Sequence, residues 1–216
     1  MIKGVIFDLD GTLLDTIGDL HITMNKMLAY YNCPSVDLQC SIRNIGRGAE
    51  DYVIGCLPED KRCMSAECLA VYKYILKNGG ETLTRIFDGI EETLQILKNK
   101  KIAIAVLTNK PHAIAEYTCK KFFKDFEFDY IAGQNDNELP KPDTTVLKRV
   151  IKNLKLNNDE VVMVGDGEAD VMVAKNAGIK SIAVLWGYRT KEQLAEVGAV
   201  NFVENTQELL ELIQRF

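Results

Sequence analysis

The sequence predicts a doubly wound α/β fold, in which helices cover both faces of a parallel sheet. Short, continuously apolar segments rich in Val and Ile alternate along the chain with helix-like segments. Strands covered on both faces have this composition, and strands that alternate with helices favour a parallel sheet. A second observation, an uninterrupted series of helical patterns near the N-terminus, predicts an additional all-α unit.

Strand and helix patterns alternate regularly through most of the chain. The predicted strands are 3–8, 101–107, 128–132, 160–164, 180–185 and 200–203. The predicted helices are 89–100, 111–123, 143–154, 168–177, 190–197 and 205–214. We therefore expect residues 1–15 and 81–216 to form a Rossmann-like α/β core domain.

Residues 16–80 interrupt this alternation. Only helical patterns occur there, at 16–31, 35–44, 48–56 and 59–78, and turn signals such as Asn32-Cys33-Pro34 and Pro58 separate them. We expect an inserted all-α helical cap domain at 16–80, which leaves and rejoins the sheet beside the end of the first strand. A cap inserted at this point is expected to act as a lid.

Composition narrows the classes of function. The net charge is −5 without a cluster of Lys and Arg, which argues against nucleic acid as a partner. Apolar runs are too short to span a bilayer, and acids appear by position 8, so we expect no leader, no membrane partner and a cytoplasmic protein. The six cysteines contain no C-x-x-C pair and are expected to be reduced thiols.

Two carboxylates stand where the first apolar run ends, in "KGVIFDLDGTLLDT". Asp8 and Asp10 are two positions apart, so in an extended chain both side chains point to the same side. Other polar residues are expected at the same edge of the sheet, past the carboxyl ends of later strands, where open α/β sheets bind ligands. These residues are Thr108, Lys141, Asp166 and Asp170.

Four acids with one lysine would be unstable without a cation. The ligands are hard oxygens, and no His or Cys lies nearby in the sequence, which favours Mg²⁺ over zinc. Magnesium bound to carboxylates usually binds a phosphate group. The remaining phosphate oxygens could be held by Lys141, Thr108 and backbone N–H groups. Of two neighbouring aspartates, one could act as nucleophile and the other as general acid and base. Gly11 would let the backbone turn sharply and approach the phosphate.

At these residues the chain resembles the haloacid dehalogenase superfamily. "DLDGT", "LTN", "KP" and "GDGEAD" are similar to its four motifs, in the same order, and "WGYR" adds a likeness to the phosphoglycolate phosphatase-like branch. The resemblance implies that Asp8 is the nucleophile, Asp10 the general acid/base, and Thr108 and Lys141 the phosphoryl contacts. It also implies that Mg²⁺ binds Asp166, the Asp8 carboxylate and the Asp10 backbone carbonyl, with Asp170 as a further acid or a ligand of metal-bound water.

Three further residues are candidates for contacts with substrate. Arg47, between two glycines of the helical insert, could bind a substrate carboxylate, or it could lie in a solvated turn. Lys110, directly after "LTN", has the same two interpretations. Asn109 is expected to line the substrate site and to cap the helix that begins near Pro111.

The sequence thus predicts a Mg²⁺-dependent phosphatase that acts on a small phosphorylated metabolite, with phosphoglycolate as the first candidate, in a monomer or homodimer. A β-phosphoglucomutase-like enzyme is disfavoured, because the cap-hinge histidine of that enzyme follows the aspartate that corresponds to Asp15 by five residues. Here His21 follows Asp15 by six residues, which rotates it by about 100° on a helix. A pyrophosphatase, a nucleotide 5′-phosphatase and a regulatory protein with a silent site stay open. Glu168 adds an acid inside the fourth motif, and "KPDTT" departs from the usual pattern after "KP".

Overall fold

The computed structural model describes residues 1–79 and 82–216, which fall into two compact units. The first unit comprises Met1–Asp15 and Ile86–Phe216, and the second comprises Thr16–Arg85. The helical insertion was expected to begin at this same Asp15–Thr16 boundary. Its expected end, between residues 80 and 81, lies outside the described residues.

A six-stranded parallel sheet forms the centre of the first unit. In chain order the strands of the protein are β1 (Gly4–Phe7), β2 (Leu14–Asp15), β3 (Arg85–Ile86), β4 (Ala103–Pro111), β5 (Tyr130–Gln134), β6 (Val161–Gly165), β7 (Lys180–Val184) and β8 (Phe202–Val203). The sheet has the order β5-β4-β1-β6-β7-β8, and every neighbouring pair is parallel. The two short strands β2 and β3 form a separate pair.

The helices take the places between strands that the sequence predicted for them. They are α1 (Ile17–Tyr30), α2 (Leu38–Asn44), α3 (Ala49–Cys56), α4 (Ser65–Asn78), α5 (Ile90–Asn99), α6 (His112–Phe122), α7 (Thr145–Leu154), α8 (Glu168–Ala177), α9 (Lys191–Glu196) and α10 (Thr206–Arg215). Short 3₁₀ helices span Glu59–Met64 and Asn158–Glu160. The predicted doubly wound α/β fold is therefore confirmed.

Alternate residues of each strand supply two apolar layers, one on each face of the sheet. On β1, Val5 and Phe7 pack with residues of α5 and α10, whereas Ile6 packs with residues of α7 and α8. Successive side chains of a strand point to opposite faces, so one apolar run can serve both layers. This double coverage explains why the strands lack polar faces.

The second unit is built from α1 to α4. Asp19 of α1 is buried and accepts hydrogen bonds from the backbone N–H groups of Thr82, Leu83 and Thr84, at 2.7–3.2 Å. Tyr52 of α3 and Tyr72 of α4 pack edge to face, with ring centroids 5.7 Å apart. Within the described residues, no helix has both the length and the hydropathy of a membrane span.

Three details differ from the sequence-based expectation. Strand β4 continues to Pro111 and does not end at Leu107, because the polar residues after Leu107 keep an extended backbone. The predicted helix 59–78 is divided at Met64–Ser65 into a 3₁₀ helix and α4. The strands β2 and β3 were not predicted, since two-residue strands carry no recognisable periodicity.

Candidate active site

The loop after β1 carries the first two aspartates to the carboxyl edge of the sheet. The backbone N–H of Asp8 donates to the Val164 carbonyl at 2.9 Å, which continues the pairing with β6. Gly11 then turns the chain with φ = 87°. A Cβ atom at Gly11 would lie 2.3 Å from Oδ2 of Asp166, so only glycine permits this close approach.

Three buried carboxylates converge beside this loop. Asp8, Asp166 at the end of β6 and Asp170 in α8 each bring one oxygen to a cluster in which these atoms lie within 4.8 Å of one another. The Lys141 ammonium lies 2.9 Å from Asp8 Oδ1 and 2.6 Å from Asp170 Oδ1, and it donates to the Leu107 carbonyl at 3.0 Å. One lysine therefore forms ion pairs with two of the three carboxylates.

Burial makes this concentration of negative charge costly. Burial raises the pKa of Asp8 to about 8. The charges of Asp170 and Asp166 add to this shift, and the charge of Lys141 opposes it. Burial and the charge of Asp170 likewise raise the pKa of Asp166 to about 7. Burial alone would lower the pKa of Lys141, but the neighbouring carboxylates raise it above its usual range, so the ammonium stays charged.

The donor set fits a hard divalent cation. All three ligand atoms are carboxylate oxygens, and the two raised pKa values indicate that ionisation of all three acids together is unfavourable without further positive charge. Magnesium binds such oxygen ligands, whereas zinc sites usually contain Cys or His. Asp8, Asp166 and Asp170 are therefore the residues that would hold Mg²⁺.

The carboxylate of Asp10 lies outside this cluster, as the described residues place it. Instead, its two oxygens lie 2.9 and 3.2 Å from the ammonium of Lys110. The side chain of Lys110 is only 3% exposed and that of Asp10 is 15% exposed. The structure thus places Lys110, a candidate for substrate binding, against the predicted general acid/base.

Thr108 and Asn109 lie on strand β4, and Asn109 connects this strand to Lys141. Both side chains are buried. Asn109 Oδ1 accepts from the Lys141 backbone N–H at 2.7 Å, and Asn109 Nδ2 donates to the Lys141 carbonyl at 3.2 Å. The expectation that Asn109 caps α6 is wrong: Pro111 is the N-cap residue, without a side-chain cap hydrogen bond. The Asn109 amide instead fixes the backbone of Lys141.

The groups that hold Asp166 in place were not predicted from the sequence. Thr12 Oγ1 donates to Asp166 Oδ1 at 2.9 Å, and the Tyr188 backbone N–H donates to Asp166 Oδ2 at 2.9 Å. Trp186 Nε1 donates to the Thr12 carbonyl at 3.0 Å and links the two donors. The position of Thr12 at the end of "DLDGT" could have indicated its role. The contact of Tyr188 is made by a backbone N–H group, so the sequence gives no indication of it.

The additional acid of the fourth motif has a partner in the same loop. Arg189 is buried, and its Nε donates to Glu168 Oε2 at 2.8 Å. This ion pair balances the charge of Glu168 and joins the start of α8 to the segment 186–189. Arg47 lies exposed in the second unit between two glycines of positive φ, so its contact with substrate stays a prediction.

Comparison with known proteins identifies the family. Residues 5–184 match the family model described as haloacid dehalogenase-like hydrolase. The chain belongs to the haloacid dehalogenase-like hydrolase family, and the sequence-based prediction of such an enzyme is confirmed.

Individual relatives extend over nearly the whole chain. Phosphoglycolate phosphatase 1 of Pseudomonas aeruginosa is 29% identical, with 95% of this chain and 78% of the relative covered. The candidate pyrophosphatase PpaX of Caldanaerobacter subterraneus is 30% identical, with 99% of this chain and 95% of PpaX covered. The crystal structure of a candidate phosphoglycolate phosphatase from Lactobacillus delbrueckii has a TM-score of 0.89 at 25% identity, with 98% of each chain covered. The likeness to the phosphoglycolate phosphatase-like branch is thereby confirmed.

Proposed function

We propose that the protein is a Mg²⁺-dependent phosphatase that hydrolyses a small phosphomonoester through a phospho-aspartate at Asp8. The observation that carries this proposal is the buried cluster of Asp8, Asp166 and Asp170 with Lys141 between two of them. Such a cluster offers a nucleophile, a cation site and a fixed positive charge at one point. Membership of a hydrolase family supports the same conclusion.

In the first half-reaction an oxygen of the Asp8 carboxylate attacks phosphorus. The new bond joins Asp8 to the phosphoryl group, and the bond between phosphorus and the substrate oxygen breaks. Asp10, two residues away, donates a proton to the departing oxygen, which leaves as an alcohol. The ammonium of Lys141 and the hydroxyl of Thr108 hold the non-bridging phosphoryl oxygens. Mg²⁺ held by Asp8, Asp166 and Asp170 would supply charge stabilisation to the phosphoryl group and would favour the ionised form of the Asp8 carboxylate.

In the second half-reaction water attacks the phosphorus atom of phospho-Asp8. The bond between Asp8 and phosphorus breaks, and Asp10 accepts a proton from the water. Inorganic phosphate is released, and both aspartates return to their starting states. The backbone clamp of Asn109 on Lys141 and the two hydrogen bonds to Asp166 keep these groups in place through the cycle.

Phosphoglycolate is the first candidate substrate. The name of the Pseudomonas aeruginosa relative supports it, and Arg47 is the group proposed to bind the substrate carboxylate. Inorganic pyrophosphate is the second candidate, because the relative PpaX is named for that activity. The sugar-phosphate mutase alternative stays disfavoured by the six-residue spacing between Asp15 and His21.

Phosphate release from a panel of phosphoesters tests the proposal. The panel holds phosphoglycolate, sugar phosphates, nucleoside monophosphates and pyrophosphate, each assayed with Mg²⁺ and with EDTA. Asp8→Asn should abolish release, because a carboxamide is a poor nucleophile. Asp159→Asn, on an exposed 3₁₀ helix of the same unit, is the matched control and should retain activity.

Each outcome of the panel has a distinct meaning. Release that requires Mg²⁺ and disappears in Asp8→Asn supports the proposal, and the fastest member ranks the substrates. Release that persists in EDTA would contradict the metal requirement, and release by Asp8→Asn would contradict the nucleophile. Phosphate binding without release from any member would favour the regulatory alternative.

A further inference from the structure

We infer that Lys110 is a positioning residue that fixes the orientation of the Asp10 carboxylate, and that it does not bind substrate. The inference rests on the proposed function, since it gives Lys110 a role through the proposed general acid/base. Lys110 Nζ lies 2.9 Å from Asp10 Oδ1 and 3.2 Å from Asp10 Oδ2, so a single ammonium holds both carboxylate oxygens. Contact with both oxygens restricts rotation of the carboxylate plane, which contact with one oxygen would permit.

Strand β4 explains how Lys110 reaches this position. Strand β4 continues to Pro111, with an irregularity in its pairing with β5 between Leu107 and Pro111, and this last part of the strand carries Thr108 and Lys110. The Lys110 backbone N–H donates to Thr108 Oγ1 at 3.2 Å, which ties the two residues together. Strand β4 also lies next to β1, so its last residues face the loop that carries Asp10.

Burial gives the ion pair its rigidity. The Lys110 side chain is 3% exposed, and an ammonium removed from water needs a charged partner. A solvated lysine could move toward an incoming phosphate at little cost, but a buried one would have to give up its two contacts with Asp10. The geometry therefore favours a fixed pair over a substrate contact.

Two lysines divide the four acids of the site into separate sets. Lys141 lies between Asp8 and Asp170, which belong to the proposed cation site. Lys110 holds Asp10 apart from that site, so the proton-transfer group does not become a further carboxylate ligand. This separation allows one acid to exchange protons while the other three stay with the cation.

A double-mutant cycle with two substrates tests the inference. The variants are Lys110→Met, Asp10→Asn and the double variant, and the substrates are an alkyl phosphate and p-nitrophenyl phosphate. An aryl leaving group needs little protonation, so loss of a general acid affects it less. Asp10→Asn should lower kcat on the alkyl ester by about 10²–10⁴-fold. Lys110→Met should show the same preference for the aryl ester with little change in KM.

Non-additivity separates positioning from a merely structural role. In the Asp10→Asn background, Lys110→Met should lower kcat by less than about 3-fold, because the group through which it acts is already missing. Lys110→Arg keeps the charge and should restore part of the alkyl-ester activity. Lys148→Met, on an exposed face of α7, is the matched control for loss of a lysine.

Contrary results are equally specific. Equal losses on both esters, full additivity with Asp10→Asn, or a rise in KM without a change in kcat would overturn the inference. Should Lys110→Met fail to fold, the double variant still folds if the two charges compensate each other, and Lys110→Arg supplies the kinetic test.

Urea unfolding of the cycle measures the Lys110–Asp10 coupling without turnover, and absence of coupling would overturn the contact. Absence of turnover in the wild-type protein with coupling intact would instead refute the proposed function.

Discussion

Replacement of Lys141 by methionine tests the electrostatics of the site most sharply. Methionine keeps most of the volume of the side chain and removes its charge. The ammonium that is lost lies 2.9 Å from Asp8 and 2.6 Å from Asp170, and its side chain is 3% exposed. The variant therefore leaves buried carboxylates without the cation that the chain supplies to them.

The size of the effect follows from these distances. At an effective dielectric constant of about 20, each contact contributes roughly 6 kcal/mol of attraction. Much of that attraction is offset by the cost of burying the ammonium, and removal of one partner from a buried ion pair typically costs about 3–5 kcal/mol. We expect a loss of that size in the free energy of unfolding at pH 9 in EDTA.

The loss should be smaller at pH 5.5. Burial raises the pKa of Asp8 to about 8, so at pH 5.5 this carboxyl group retains its proton and needs no cation. The difference in stability between wild type and variant should therefore grow as the pH rises through the pKa of Asp8. Added Mg²⁺ should recover part of the loss at pH 9, because it compensates the same carboxylates.

Urea unfolding followed by circular dichroism measures these differences in EDTA and in Mg²⁺. Lys148→Met is the control for loss of an exposed lysine and should change the unfolding free energy by less than about 0.5 kcal/mol. A Lys141→Met variant as stable as wild type at pH 9 would refute the reasoning. An equal loss at pH 5.5 and pH 9 would do so too, since it would point to packing and not to charge.

Three further predictions concern other parts of the chain. Burial alone would raise the pKa of Asp19. Hydrogen bonds from Thr84 and its neighbours together have the larger effect and hold this pKa below the ordinary 3.8. The ionised carboxylate therefore stabilises the helical unit above pH 4, and this contribution is lost as the pH falls through the lowered pKa. Asp19→Asn should lower the free energy of unfolding by about 1–3 kcal/mol at pH 7, measured by thermal unfolding, and should remove that dependence on acid pH. Glu168→Gln should leave the buried Arg189 with a weaker partner and cost about 1–3 kcal/mol in urea unfolding, and an unchanged midpoint would contradict the ion pair. Arg47→Ala should raise KM about 10-fold for substrates that carry a carboxylate and leave aryl phosphates unaffected; equal rises would contradict recognition by Arg47.

The fold was predictable because each strand had to be buried on both faces. Segments such as 160–164 contain nothing but apolar residues and one acid at the edge, and such a segment is stable only between two layers. The end of β4 was not predictable, because Thr108 and Lys110 are polar and still occupy strand positions. Their polarity reflects the site at the edge of the sheet and not a turn.

The positions of the acids at the site were predictable, but the partners of the side chains were not. The order of the strands alone brings Asp8 and Asp166 to one edge, and it requires no knowledge of side-chain conformation. Which acid faces which lysine depends on tertiary distances of a few ångströms, and the sequence contains no measure of them. Lys110 was for that reason a candidate for substrate binding, although the structure pairs it with Asp10.

Chemical trapping of the covalent intermediate tests the central claim most directly. The protein is mixed with its best substrate and Mg²⁺, quenched in acid within one turnover and treated with hydroxylamine, which converts an acyl phosphate to a hydroxamate. Mass spectrometry of the peptides should find the hydroxamate on Asp8 and none on Asp10, and the Asp8→Asn variant should yield none. Rapid phosphate release without modification of Asp8, or modification at another residue, would contradict the account.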